Sequence, residues 1–129
     1  MKNFLSCLLF VSLSLFCAGC ATEKLPSEDL EVFEKHADII AVLKNPGIPP
    51  NSREKYDAAK KLIKYVDLHY TRETATVNKL FHYGDAAVDA PDAKDPVFTF
   101  NYQYQNKFVR IRFFTCLMFI TRVEIKENE

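Results

Sequence analysis

Several residue types that support common chemistries are scarce or absent in this chain. Of its 129 residues, three are glycine and none is tryptophan. So few glycines leave no loop of the kind that cradles phosphate groups, and carbohydrate stacking is not expected without tryptophan. The sequence also lacks the GxSxG motif of serine hydrolases and the HExxH motif of helical zinc sites. The chain is therefore expected not to be an enzyme and to need no cofactor.

No excess of charge is present either, because 17 basic side chains balance 17 acidic ones. A nucleic-acid partner is therefore not indicated. The charge is nevertheless uneven: residues 21–40 hold six acidic and two basic side chains, and residues 107–126 hold five basic and one acidic. We expect these segments to neutralise each other or to face solvent. The alternative is a basic sheet face that meets an acidic partner or lipid headgroups.

The amino terminus has the pattern of a bacterial secretion signal. The 13 residues from Phe4 to Phe16 carry no charge, which is too short for a membrane-spanning helix but suits a signal-peptide core. Small residues follow, and Cys17-Ala18-Gly19-Cys20 resembles the bacterial lipobox, although Leu is usual where Cys17 stands. That resemblance implies cleavage between Gly19 and Cys20 and acylation of Cys20 by chains such as palmitate.

This interpretation divides the chain into four parts. We predict a signal peptide at 1–19, a lipidated Cys20 with a short tether over 20–27, one domain over 28–126 and a frayed tail at 127–129. A tether this short keeps the domain close to the bilayer. In a Gram-negative host, Ala21 favours the outer membrane, facing the periplasm. Cys116 is then the one free thiol, and we expect it to be a small buried hydrophobe.

Helical patterns occupy the first part of the mature chain. Ser27 is the predicted N-cap of a helix that ends near Lys44. Asn51 and Glu54 predict a capping box for a second helix, whose lysines are expected to be solvated, with an anionic membrane as the alternative. Thr71 is the predicted cap of a short third helix. Gly84 is expected to end that helix with a positive φ. The apolar positions of the three helices are Leu30, Phe33, Ala37, Ile40, Leu43; Tyr56, Ala59, Leu62, Ile63, Val66; and Val77, Leu80, Phe81.

Strand patterns begin after a loop predicted for residues 85–95. Alternation over 97–104, 107–114 and 119–126 predicts three strands, and Gln105-Asn106 suits a tight turn because asparagine tolerates positive φ. The helices are the available cover for the apolar face of this sheet. The predicted fold class is therefore α+β, with two or three N-terminal helices packed on a C-terminal three-stranded antiparallel meander.

The second half of the chain resembles a known family. The stretch from Thr71 to Phe81, then Tyr83-Gly84-Asp85 and the aromatic strands, is similar to the SmpA/OmlA-type lipoprotein domain, which is related in shape to β-lactamase-inhibitor-like modules. The resemblance implies a non-enzymatic module that supports outer-membrane β-barrel assembly or binds protein partners. Ala86 stands where the family has proline, and Thr115–Met118 replaces its polar turn.

The uncharged run from Phe113 to Ile120 holds the candidate partner-binding residues. A strand of eight such residues cannot turn every side chain inward. We expect both faces to be covered within the fold. The alternative is an exposed apolar patch, which often marks a partner surface. Its candidate residues are Phe114, Leu117, Met118 and Ile120.

The favoured function is a membrane-anchored cell-envelope lipoprotein that acts as a non-enzymatic protein-interaction or assembly module. Its expected partners are the bilayer, through Cys20, and an envelope protein. One alternative is a lipoprotein that binds a small ligand or a metal through His69, His82 and Asp85. Another is an inhibitor or immunity-type binding protein.

Overall fold

The computed structural model describes residues 24–89 and 95–128, so the predicted signal peptide and Cys20 lie outside the described residues. Within these ranges the fold is α+β, as predicted, with four α-helices and a four-stranded antiparallel sheet. The helices are α1 Leu30–Lys35, α2 Ala37–Lys44, α3 Arg53–Tyr65 and α4 Thr74–Leu80. The strands are β1 Leu25–Pro26, β2 Val66–Asp67, β3 Ala86–Asp89, β4 Val97–Tyr104, β5 Lys107–Cys116 and β6 Phe119–Glu127.

The sheet has the order β3-β4-β5-β6, so it contains the three predicted strands and one more. The additional strand β3 lies within the predicted loop and pairs with β4, from Ala86 opposite Phe100 to Asp89 opposite Val97. Its last three side chains are exposed, so β3 lacks the apolar alternation that marks a half-buried strand. The prediction of a three-stranded meander was therefore one strand short.

The core lies between the helices and one face of the sheet. Val109, Ile111 and Phe113 of β5 are fully buried, as their alternation predicts. Phe81, directly after α4, stacks on Phe100 of β4 with ring centroids 4.7 Å apart. Burying aromatic rings of this size contributes much of the apolar surface that small domains need. The sheet and the helices therefore form the expected two layers.

The first predicted helix is divided in two. Residue His36 separates α1 from α2, with φ −116° and ψ 26°. Its ring stacks on Tyr65 of α3, with centroids 5.4 Å apart. The break changes which side chains face inward: Val32 is buried, whereas Leu30 is 78% exposed. The prediction of one continuous helix with Leu30 on its apolar face was wrong.

Ser27 and Thr71 are not the helix caps that the sequence suggested. Asp29 caps α1, and its carboxylate accepts a hydrogen bond from the Glu31 N–H. The Ser27 and Thr71 hydroxyls are instead hydrogen-bonded to each other at 2.7 Å, and both residues are fully buried. Each hydroxyl is thereby satisfied away from water, as a buried polar group must be.

The amino-terminal part of the domain also begins earlier than predicted. The two residues of β1 pair in parallel with β2, with Leu25 opposite Val66 and Pro26 opposite Asp67. Residues 25–27 therefore belong to the folded domain rather than to a free tether.

Three further local predictions need correction. The cap of α3 is Ser52 rather than Asn51, because the Ser52 hydroxyl accepts a hydrogen bond from the Lys55 N–H at 3.2 Å. The N-cap of α4 is Glu73. Gly84 lies in a 3₁₀ turn and has no positive φ.

The carboxyl terminus is held more firmly than a frayed tail. The side-chain oxygen of Asn128 accepts a hydrogen bond from the Phe108 N–H, and its amide nitrogen donates to the Asn106 carbonyl. These bonds also fix the predicted β4–β5 turn, in which Gln105 rather than Asn106 has the positive φ, 55°. The ordered domain therefore extends through residue 128.

Candidate functional site

The turn between β5 and β6 carries the largest apolar side chains that face solvent near the sheet. Leu117, Met118 and Phe119 are 68%, 71% and 56% exposed. Leu117 has a φ of 58°, in the left-handed region where a side chain costs roughly 1–2 kcal/mol. We call residues 116–119 the hairpin tip. Leu117 therefore combines a strained backbone with an apolar side chain in solvent, and neither property stabilises the fold.

The segment after the 3₁₀ turn Leu68–Tyr70 holds the hairpin tip in place. The backbone N–H and the hydroxyl of Thr74 both donate to the Met118 carbonyl, at 3.1 and 3.2 Å. The Ile120 N–H donates to the Arg72 carbonyl at 2.8 Å, and Glu73 bridges to Phe119. The tip is therefore a fixed structure, so binding through it would cost little ordering entropy.

A bulge next to the tip decides which residues of β6 face the core. Phe114 pairs with Arg122 and Thr115 pairs with Ile120, which leaves Thr121 without a partner residue in the ladder. One extra residue reverses the alternation of a strand. Ile120 and Val123 are consequently both buried, although the sequence pattern placed them on opposite faces.

The tip continues into the face of the sheet that points away from the helices. On β5 this outer face consists of the half-buried residues that alternate with the core positions, namely Phe108, Arg110, Arg112 and Phe114. The partners of Arg110, Arg112 and Phe114 on β6 are Lys126, Glu124 and Arg122, respectively. The Arg122 guanidinium lies 4.0 Å from the centroid of the Phe114 ring. The outer face is therefore a mixed basic and aromatic surface.

Some polar atoms of the outer face have no hydrogen-bond partner in the part of the chain that the structure describes. They include the Thr99 hydroxyl, the Asn101 side-chain oxygen and the Arg112 Nε, all shielded from solvent. Thr99 pairs with Arg112 across the strands, and Asn101 pairs with Arg110, so these atoms cluster. Buried polar atoms without partners are unfavourable, so this part of the outer face is less well satisfied than the core.

Among the described residues, the acidic and basic segments do not pair with each other, and their charged side chains are exposed or half-buried, which is the second of the two expected arrangements. None of the ion pairs recorded among residues 24–89 and 95–128 joins residues 21–40 to residues 107–126. The arginines of the outer face point away from the helical layer that holds the acids. The positive charge of this sheet face is thus directed towards solvent.

The predicted partner-binding residues divide between surface and core. Leu117 and Met118 are exposed, and Phe114 is half-buried beneath Arg122. Ile120 is only 7% exposed and belongs to the core. Phe119 is exposed but was not predicted as a partner-binding residue. The bulge that turns it outward cannot be recognised from the alternation of apolar and polar residues.

Cys116 is exposed, which corrects the prediction of a buried thiol. Its place at the end of β5 puts it opposite Phe119, on the outer side of the hairpin. The uncharged neighbours of Cys116 suggested burial, but the turn that follows it brings this part of the run to the surface.

The predicted ligand trio of His69, His82 and Asp85 is not assembled. Asp85 pairs with Lys55, whose side chain is fully buried and also donates to the Leu43 carbonyl at 3.0 Å. His69 lies elsewhere, beside Ile125 and Glu127 at the far end of β6. Within the described residues, no three His, Cys, Asp or Glu side chains are grouped so as to hold a metal ion.

The burial of Lys55 corrects the prediction that all lysines of α3 are solvated. Its neighbourhood includes Tyr102, whose hydroxyl is shielded from solvent and has no hydrogen-bond partner among the described residues. Burial and the nearby Asp85 carboxylate raise the pKa of the Tyr102 phenol well above its usual range. The phenol is neutral at physiological pH, and the Lys55–Asp85 pair is enclosed by protein.

Comparison with protein-family models, curated proteins and solved structures found no match to this chain. The resemblance to the SmpA/OmlA-type domain therefore stays a prediction. No helix among residues 24–89 and 95–128 is long and apolar enough to cross a membrane.

Proposed function

We propose that this protein is a lipid-anchored module of the bacterial cell envelope that binds a protein partner through its hairpin tip. The anchor is the lipobox Cys20, with the outer membrane, facing the periplasm, as its place in a Gram-negative host. The domain acts by binding rather than by catalysis, and an assembly role of the kind implied by the SmpA/OmlA resemblance is its finer form.

One observation carries this proposal: the conformation and exposure of Leu117. A leucine with φ 58° that is 68% exposed loses conformational energy and recovers little of it by burial. Residues held in this sparsely populated region cluster at functional sites. An apolar partner pocket would recover the cost by burying Leu117, Met118 and Phe119 together.

The surroundings of the tip indicate the chemistry of that partner. The tip adjoins Phe114 and Arg122, and the Arg122 side chain is exposed. A partner with an apolar pocket and a neighbouring carboxylate or backbone carbonyl would match both parts. Aromatic and arginine side chains of this kind are enriched where protein interfaces gain most of their energy.

Site-specific photo-crosslinking in cells tests the proposal. A photoreactive amino acid replaces Met118 in the full chain, and the matched control carries it at Lys79, an exposed residue of α4. We expect a covalent adduct of defined mass from position 118 and none from position 79. Adducts of equal yield from both positions, or none from position 118, would contradict the proposed interface.

A second pair of variants tests whether the apolar side chain of Leu117 is needed for the adduct to form. Leu117→Asp and Leu30→Asp each place a carboxylate at an exposed leucine, 68% and 78% exposed respectively. We expect Leu117→Asp to reduce the yield of the adduct at least tenfold and Leu30→Asp to leave it unchanged. The Cys20→Ala variant separately tests whether the anchor is needed.

A further inference from the structure

A basic groove lies between the end of α3 and the end of β6. It has a volume of about 530 Å³ and is open to solvent. Its positive lining consists of Lys24, Lys60 and Lys64 together with His69, and its one acidic residue is Glu127. Lys60 pairs with Glu127 at 3.0 Å, so the groove keeps a net positive charge from Lys24 and Lys64.

The groove lies where the chain enters the domain. Lys24 directly precedes β1, whose Leu25 pairs with Val66 immediately after α3. Three residues separate Cys20 from Lys24, and the four residue steps between them can span at most about 14 Å. An acyl chain on Cys20 would therefore hold this end of the domain at the level of the lipid headgroups.

We infer that the groove around Lys24 and Lys64 is the face that the domain applies to an anionic phospholipid bilayer. This inference rests on the proposed lipid anchor at Cys20. Each lysine near an anionic membrane surface raises the ratio of bound to free protein about fivefold. Tyr65 supports the same orientation, because this exposed ring lies next to Lys64 and tyrosine is favoured at membrane interfaces.

The orientation has a direct consequence for the hairpin tip. β6 runs from Phe119 at the tip to Glu127 at the groove. Eight residue steps along a strand correspond to about 26 Å. Seating the groove on the bilayer therefore lifts the tip away from the membrane, where a protein partner can reach it.

Energy transfer from the tip to the bilayer measures this orientation. The full lipoprotein is reconstituted in nanodiscs whose headgroups carry an acceptor dye, with and without phosphatidylglycerol. The donor dye is placed on Cys116, which is exposed and, once Cys20 is acylated and the signal removed, is the remaining thiol of the chain. We expect less transfer when phosphatidylglycerol is present, because the docked domain holds Cys116 away from the lipids.

Charge variants test whether the groove lysines cause the decrease in energy transfer. The variant with Lys24→Glu and Lys64→Glu should show the same transfer with and without phosphatidylglycerol. The control with Lys61→Glu and Lys79→Glu carries the same change of charge at exposed positions outside the groove lining and should behave as the wild type. Equal transfer in both lipid mixtures for the wild type, or equal effects of the two variants, would overturn the inference.

Failure of the anchor can be separated from failure of the basic face. The mass of the amino-terminal peptide reports acylation of Cys20 before any transfer is measured. If Cys20 is unmodified, chains that begin at residue 20 with Cys20→Ala have Cys116 as their one thiol, and an amino-terminal hexahistidine tag on nickel-chelating lipids gives the same measurement. If energy transfer from these tethered chains still depends on phosphatidylglycerol, the basic groove binds the bilayer even though the proposed anchor is wrong. If it does not depend on phosphatidylglycerol, the inference about the groove is wrong.

Discussion

Lys55 and Leu117 are opposite exceptions to the usual separation of polar and apolar residues. The Lys55 side chain is 0% exposed, and Leu117 is 68% exposed. The difference lies in what surrounds them. Lys55 has an acidic partner and a carbonyl acceptor inside the fold, whereas Leu117 has solvent around it and a strained backbone. The burial of the lysine is accounted for by the chain itself, and the exposure of the leucine is the feature that the proposed partner would explain.

Removing the partner of Lys55 should give the largest effect on stability. Asp85→Ala leaves a buried ammonium group without its counter-charge, which typically costs about 3–5 kcal/mol. Urea unfolding followed by circular dichroism measures the loss. The double variant Lys55→Met, Asp85→Ala removes both charges and should recover most of it. A single variant that loses less than about 1 kcal/mol would show that Lys55 does not depend on Asp85.

The half-buried Tyr83 and the buried Tyr102 provide a smaller test of how hydrogen-bond partners offset burial. The Tyr83 hydroxyl donates to the Thr74 carbonyl at 2.8 Å, whereas the Tyr102 hydroxyl has no partner among the described residues. Tyr83→Phe should therefore cost about 1 kcal/mol, and Tyr102→Phe should be neutral or slightly stabilising. Urea unfolding of the two variants gives the comparison. Equal losses would show that the Tyr102 hydroxyl does make a bond in solution.

The pH dependence of stability also reports on the burial of Tyr102. The raised pKa of Tyr102 means that, above its ordinary value of 10.0, the unfolded chain releases the phenol proton before the folded chain does. Stability is therefore present below that pH and is lost as the pH rises beyond it. Tyr102→Phe should reduce this loss.

Leu117→Asn should have a small effect on stability, of the opposite sign to that of Asp85→Ala. Asparagine tolerates the left-handed conformation better than leucine, so we expect the variant to gain up to about 1 kcal/mol. The crosslink at position 118 should fall at the same time. Leu30→Asn, at an exposed leucine without positive φ, is the control and should leave the crosslink unchanged. A Leu117→Asn variant that is both less stable and fully crosslinked would remove the reason to place function at the tip.

The parts of the fold with strong periodic signals were predicted from sequence. Alternation identified the buried face of β5, and the three-and-four spacing identified Ala59, Leu62 and Ile63 of α3. The parts that depend on tertiary contacts were not. Ser27 and Thr71 have the residue types of caps, and only the approach of the two segments shows that they bond to each other.

The candidate site was predicted only in part, because some of its residues are positioned by tertiary contacts rather than by a sequence pattern. The uncharged run located the hairpin tip, and Leu117 and Met118 were named as candidates. The assignment of Ile120 to a surface and of Cys116 to the core was wrong, because the turn and the bulge at Thr121 reset the alternation. The buried Lys55 had no sequence signal, since its partner Asp85 lies 30 residues away.

The hydrogen bond between Ser27 and Thr71 also matters for how the domain bears load. A pull on the amino terminus reaches β1 first, and β1 is joined to β2 by parallel pairing and to Thr71 by the Ser27 hydroxyl. From Thr71 the chain continues directly into Arg72 and Thr74, whose backbone groups bond to the hairpin tip. In the proposed lipid-anchored state, tension would thus pass from β1 through Thr71 to the hairpin tip.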